Sequence, residues 1–133
     1  MGDRCLMRLK VPWTQATRVA GILGVKPADF SSEENACFGV LEIEEVNYGG
    51  TKERSDLLRE RIDYAGVHYD GDTYDGANFV ALDGIEYEVQ IDANGDMFVV
   101  FERDDTPATL WKAAAHVRKY LEMYAEFTRR WVP

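Results

Sequence analysis

Two short turn signals constrain this chain more than anything else in it. Asp83-Gly84 separates the β-type runs Phe79–Leu82 and Ile85–Ile91, and the segment Asp92–Asp96 (DANGD) separates the second run from Met97–Glu102. Asp-Gly and Asn-Gly accept the positive-φ backbone that tight hairpins require. Three apolar runs joined in this way predict an antiparallel meander over residues 79–102. In the middle run, Ile85, Tyr87, Val89 and Ile91 fall on one face, with Glu86, Glu88 and Gln90 on the other. The alternation predicts a sheet with one buried face and one acidic, solvated face.

Thr106-Pro107 then supplies an N-cap and a proline for a first helical turn, with Asp104 and Asp105 on the favourable side of the helix dipole. The helix is predicted from Pro107 to Arg130, with Arg129 and Arg130 suiting its C-terminus. Leu110, Ala114, Val117, Leu121 and Tyr124 make its core stripe, and Leu110, Val117 and Leu121 are expected against Tyr87, Val89 and Ile91. A second stripe of Trp111, Ala113, Tyr120, Met123, Phe127 and Trp131 exceeds what one sheet face usually covers. Aromatics are enriched in interface cores, so a homodimer through this helix is expected.

The upstream pattern is shorter in range. Cys5–Val11 reads as a strand, and Thr14–Val25 as a helix on Ala16, Val19, Ala20 and Leu23 that stops at Gly24. Phe38–Val46 reads as a strand with Leu41 and Ile43 on one face, and Phe38, Val40 and Val46 on the other. Asn47–Gly50 is a turn. Residues 52–64 suit an amphipathic helix on Leu57, Leu58 and Ile62, continued by Ala65. Residues 68–78, with two glycines and three aspartates, read as an irregular loop or tight hairpin. An antiparallel sheet with segregated helices makes this an α+β fold, and 133 residues fit a single domain over 1–133.

Charge narrows the function classes. The net charge is −9, and from Asp63 to Glu102 the chain carries ten carboxylates and no lysine or arginine. Arg4, Arg8, Lys10, Arg18 and Lys26 make the N-terminal part basic against Asp3 alone, and residues 106–133 are again basic. A field of one sign attracts basic partners and repels phosphate backbones, so direct nucleic-acid binding by the acidic stretch is disfavoured. Cys5 and Cys37 form no CxxC pair and read as reduced thiols in a cytoplasmic protein. No apolar run approaches the ~20 residues that span a bilayer.

Motifs for chemistry are sparse. The acidic loop from His68 to Gly76 offers oxygen ligands, but neither a start at Asp70 nor one at Asp92 places glycine where a calcium loop needs it. No metal or cofactor is expected. His68 and His116 are the two imidazoles, no nucleophile or phosphate-loop motif occurs, and no catalytic residue is nominated. An enzyme is therefore the lesser reading. Residues 19–30 (VAGILGVKPADF) resemble the second helix and turn of helix-turn-helix regulators. That resemblance implies a recognition helix next, which would carry Asp29, Glu33 and Glu34 toward phosphate.

The leading expectation is a small acidic binding protein that engages a basic protein surface. Anti-defence proteins, immunity proteins and nucleic-acid mimics that act as inhibitors or neutralisers are of this type. Tyr69, Asp70, Asp72, Tyr74, Asp75, Glu86 and Glu88 form the expected contact, combining stacking on arginine with charge-steered association. One alternative is a small-ligand or nucleotide binder that gathers Arg59, Arg61 and Arg118 with aromatics into a pocket. The other is a DNA-binding regulator acting through residues 14–30.

Overall fold

The computed structural model describes residues 4–34, 36–71, 75–98 and 106–132. Six strands form one antiparallel sheet: β1 (Arg4–Pro12), β2 (Ser31–Glu33), β3 (Phe38–Asn47), β4 (Tyr64–His68), β5 (Gly76–Leu82) and β6 (Ile85–Ile91). Their spatial order is β2-β3-β1-β4-β5-β6, so the first strand lies inside the sheet between β3 and β4. Helices α1 (Ala16–Leu23) and α2 (Thr51–Arg59) cover one face, and α3 (Pro107–Trp131) covers the other. The fold is α+β, as the element pattern predicts.

Two separate apolar layers result. Met7, Leu9, Val11, Val19, Ala20, Leu41, Leu57, Tyr64 and Phe79 pack under α1 and α2. Phe38, Ala65, Val80, Val89, Tyr120 and Phe127 pack under α3. A central sheet sandwiched in this way buries both faces of β5 and of the start of β4, which explains why those strands alternate poorly, whereas β1 buries Met7, Leu9 and Val11 and leaves Arg8 exposed on its other face.

The hairpin turn forms as expected, with Asp83 at φ 54° and Gly84 at φ 82° joining β5 and β6 in register from Leu82↔Ile85 to Gly76↔Ile91. Gly95 is likewise at φ 85°, and the Asp92 carboxylate accepts from the backbone N–H groups of Asn94 and Asp96. The chain then returns, with Met97 bridging Ile91 and the Phe98 N–H donating to the Gln90 carbonyl. The rest of the expected third run, residues 99–102, lies outside the described residues, as do Asp104 and Asp105.

Four local expectations are corrected. Helix α2 ends at Arg59, and Tyr64 and Ala65 open a strand that pairs β1 with β5. The segment 68–78 is narrowed at both ends, because His68 closes β4 and Gly76–Asn78 open β5, which leaves 69–75 as the hairpin connection between the two antiparallel strands. A bulge shifts the β1–β3 register between Cys5↔Val46 and Met7↔Ile43, so Val46 joins Leu41 and Ile43 beneath the helices rather than Phe38 and Val40. After α1, Gly24 adopts φ 73° as the expected stop and Pro27 opens a single 3-10 turn, Pro27–Asp29, that leads into β2 where the helix-turn-helix resemblance implies a recognition helix. There is thus no second helix at that place, and Val19 and Ala20 of the first are in the core.

The long helix runs as predicted, capped by the Thr106 hydroxyl accepting from the Thr109 N–H, but its phase differs. Tyr120 and Phe127 are buried, Val117, Met123, Tyr124 and Trp131 pack beside them, and Leu121 is 49 % exposed. Ala114 is also exposed, and the Leu110 side chain lies outside the described set. Phe127 stacks on Phe38 with ring centroids 5.2 Å apart, and the Trp131 indole N–H donates to Asp63 at 3.0 Å. The inward stripe therefore holds the large aromatics, whose burial removes far more apolar area than Leu121 and Ala114 would. Phe127 and Trp131 belong to this fold's own core rather than to a dimer interface.

Candidate functional site

The register places one end of the sheet under a concentration of negative charge. Arg4↔Asn47, Met7↔His68, His68↔Ala77 and Gly76↔Ile91 align the end of β3, the end of β4, the start of β5 and the end of β6. Glu44, Glu45, Tyr48, Tyr69, Asp70, Asp75, Asp92 and Asp96 are all exposed there. Asp72 and Tyr74, both expected in the contact, lie outside the described residues. The opposite end carries Arg59, Arg61, Arg129 and Arg130 among Asp56, Asp63, Asp83 and Glu126, so its charges largely offset one another.

Beside the acidic end opens a cleft of about 420 Å³ lined by Tyr48, Thr51, Arg54, His68, Asp75, Ala77, Glu88 and Gln90. Its floor is set by close backbone approach. Gly49 (φ 70°) lies against the His68 ring, and a Cβ there would sit 2.8 Å from Nε2. Gly50 (φ 76°) lies against Met7, where a Cβ would collide with Sδ. This glycine pair lets α2 start directly on the sheet, which aims Arg54 at β6.

Arg54 is only 7 % exposed. Its Nη1 donates to Glu86 Oε1 at 2.9 Å and to Glu88 Oε2 at 3.1 Å, and its guanidinium lies 4.6 Å from the Phe79 ring centroid. Phe79 in turn fills the slot left by Gly66, where a Cβ would fall 2.7 Å from the ring. The Tyr64 hydroxyl donates to Glu86 Oε2. Burial pushes the Glu86 carboxyl above the usual range, against the pull of Arg54, and burial with the Glu86 charge pushes the Tyr64 phenol far up. Tyr64 is therefore a neutral donor. The expected wet face of β6 is thus partly internal: Glu86 is tied to Arg54 and Tyr64, while Glu88 and Gln90 remain exposed. Gln90 donates to Asp75 at 3.4 Å.

The three arginines of the ligand-pocket reading are not brought together. Arg59 is on α2 and pairs with Asp56 at 3.3 Å, and Arg61 donates to the Asp83 carbonyl at 2.9 Å. Arg118 is exposed on α3, across the sheet from α2. The cation that sequence reasoning missed is Arg54, hidden among the alternating charges of α2. Among the described residues no three His, Cys, Asp or Glu side chains cluster to hold a metal ion, and no helix is long and apolar enough to cross a membrane. Cys5 and Cys37 are free thiols.

His68 forms the inner wall of the cleft, with Nδ1 3.2 Å from the Tyr69 carbonyl and its ring 6.4 Å from Phe79. Burial pushes its pKa below the ordinary 6.5, so the neutral imidazole belongs to the folded state. The unfolded chain then takes up the proton first as pH falls. Stability from this group is complete above pH 6.5 and declines as pH drops from there through the folded value. Urea titrations from pH 7.5 to 5 should show that decline in the wild type and a flatter profile in His68→Gln; equal slopes would exclude His68 as its source.

No family model matches the chain, and no match was found among the curated proteins or the solved structures.

Proposed function

We propose that the protein binds a cationic protein surface through the acidic end of its sheet, acting as an inhibitor or neutraliser that occupies a basic site. The carrying observation is the register that gathers Tyr48, Tyr69, Asp70, Asp75, Asp92 and Asp96 at one end, around the Arg54 cleft. Arg54 is already bridged to two carboxylates, so the cleft remains negative and favours a guanidinium or ammonium over phosphate. Tyr48 is 59 % exposed on the rim and offers a ring face on which an arginine can stack. With the charges of the opposite end largely offset, the field of the acidic end steers a positive partner toward it before contact. Nucleotide binding lacks comparable support, because Arg59, Arg61 and Arg118 do not converge.

The test uses a nona-arginine peptide, with its citrulline counterpart as the neutral control, titrated by calorimetry. The arginine peptide should bind and the citrulline peptide should not, with affinity falling as salt rises past a Debye length of ~8 Å. Asp70→Asn, Asp72→Asn and Asp75→Asn combined should weaken binding about tenfold, at roughly 0.5 kcal/mol per charge removed. The folded state should change by less than about 0.5 kcal/mol at each position. A control with Asp56→Asn and Glu60→Gln, toward the other end of α2, should bind as the wild type does. Equal weakening by both variants would mean that net charge, and not this end of the sheet, attracts the peptide.

A further inference from the structure

The outward side of α3 carries a second regular stripe. Trp111, Ala115, Arg118, Glu122, Ala125 and Arg129 recur at spacings of four and three residues, and every one is exposed. Trp111 is 75 % exposed, the most of any large apolar side chain described, and Leu121 at 49 % flanks the same seam. Spacings of four and three residues keep the stripe on one side of the helix and are the pattern by which two helices pack along their length. Alanine at the inner positions permits close approach of two backbones.

The stripe is complementary to itself in one orientation only. Laid antiparallel about a two-fold axis at the level of Tyr120, Arg118 of one copy meets Glu122 of the other, and the reverse pair forms by symmetry. Ala115 meets Ala125, and Trp111 meets Arg129, placing a guanidinium over an indole at each end. A parallel pairing would oppose Arg118 to Arg118 and Glu122 to Glu122. Neither Arg118 nor Glu122 has an ion-pair partner among the described residues, so both charges are available. From Trp111 to Arg129 the seam is about 27 Å long at ~1.5 Å per residue.

We infer that the chain forms an isologous antiparallel dimer through Trp111, Ala115, Arg118, Glu122, Ala125 and Arg129 of α3, with a second copy of itself as the occupant. This face is across the sheet from the Arg54 cleft, so the dimer presents two acidic ends pointing in opposite directions. The inference stands apart from what those ends bind.

A charge-swap series tests it by sedimentation equilibrium on the full chain. The wild type should run as a dimer of the 15.1 kDa chain. Arg118→Glu alone and Glu122→Arg alone should each weaken the dimer at least tenfold, and the two together should restore it, because the pair is only exchanged. Thermal melting of dilute monomer should be the same for all four proteins. Orientation is read separately by mixing Ala115→Cys with Ala125→Cys under mild oxidation. A 115–125 cross-link without 115–115 product supports the antiparallel arrangement. A wild type that remains monomeric at several hundred micromolar overturns the inference, as does a double variant no better than the singles, or a dominant 115–115 cross-link.

Discussion

Arg54→Met should lower unfolding free energy by about 3–5 kcal/mol at pH 7, the range expected when one partner of a buried ion cluster is removed. The loss comes from what is left behind. Among the described residues Glu86 keeps only the Tyr64 hydroxyl, and Phe79 loses the guanidinium above its ring. Adding Glu86→Gln to Arg54→Met should recover much of the loss, because no uncompensated carboxylate then remains. Acid should act in the same direction. Glu86 already has a raised pKa in the folded state, and without Arg54 burial is unopposed. A carboxyl raised on folding favours the native state fully below its unfolded value of 4.5 and loses that advantage as pH rises through the folded value. The Arg54→Met penalty, measured by urea unfolding, should therefore shrink between pH 7 and pH 5. A penalty under about 1 kcal/mol at pH 7 would show that water already compensates the cluster.

Phe127→Ala should be of similar size, about 3–5 kcal/mol, from lost apolar burial plus the cavity left against Phe38. Phe127 is fully buried and in ring contact with both Phe38 and Tyr124. Leu121→Ala, on the same helix, should change the stability of the dilute monomer by only about 0.5 kcal/mol. The pair of measurements reads the rotational setting of α3 directly. Comparable losses at both positions would mean that the helix is turned from the orientation described.

What the sequence made legible is what short-range chemistry controls. Asp83-Gly84 dictates its hairpin, Gly24 ends α1, and Thr106-Pro107 starts α3, each through the backbone preferences of neighbouring residues. The setting of α3 was not legible, because its residues offer several stripes at helical spacing. Which one faces inward depends on Phe38 and Val80, far away in the chain. Strand β4 was hidden because Tyr64 and Ala65 continue the apolar spacing of α2, and its pairing with Met7–Lys10 leaves no local mark. The same holds at the candidate site. Tyr69, Asp70 and Asp75 could be nominated from composition, but Arg54 looked like one more solvated helix charge. Its partners Glu86 and Glu88 stand 32 and 34 residues away. The available hint was the Gly49-Gly50 pair, which marks close backbone approach at the start of α2.

The interior position of β1 bears on how the chain is made. Ribosomes deliver β1 before its hydrogen-bonding neighbours β3 and β4, the latter completed only at His68. At about 5–20 residues per second, roughly 3 to 10 seconds separate the emergence of β1 from that of its second partner. Until β3 is complete at Asn47, Met7, Leu9 and Val11 have no sheet to join and both edges of the strand are open, and one edge stays open until His68. Synthesis speed through residues 13–68, and any chaperone that holds an extended apolar segment, therefore act on this protein at its most aggregation-prone moment.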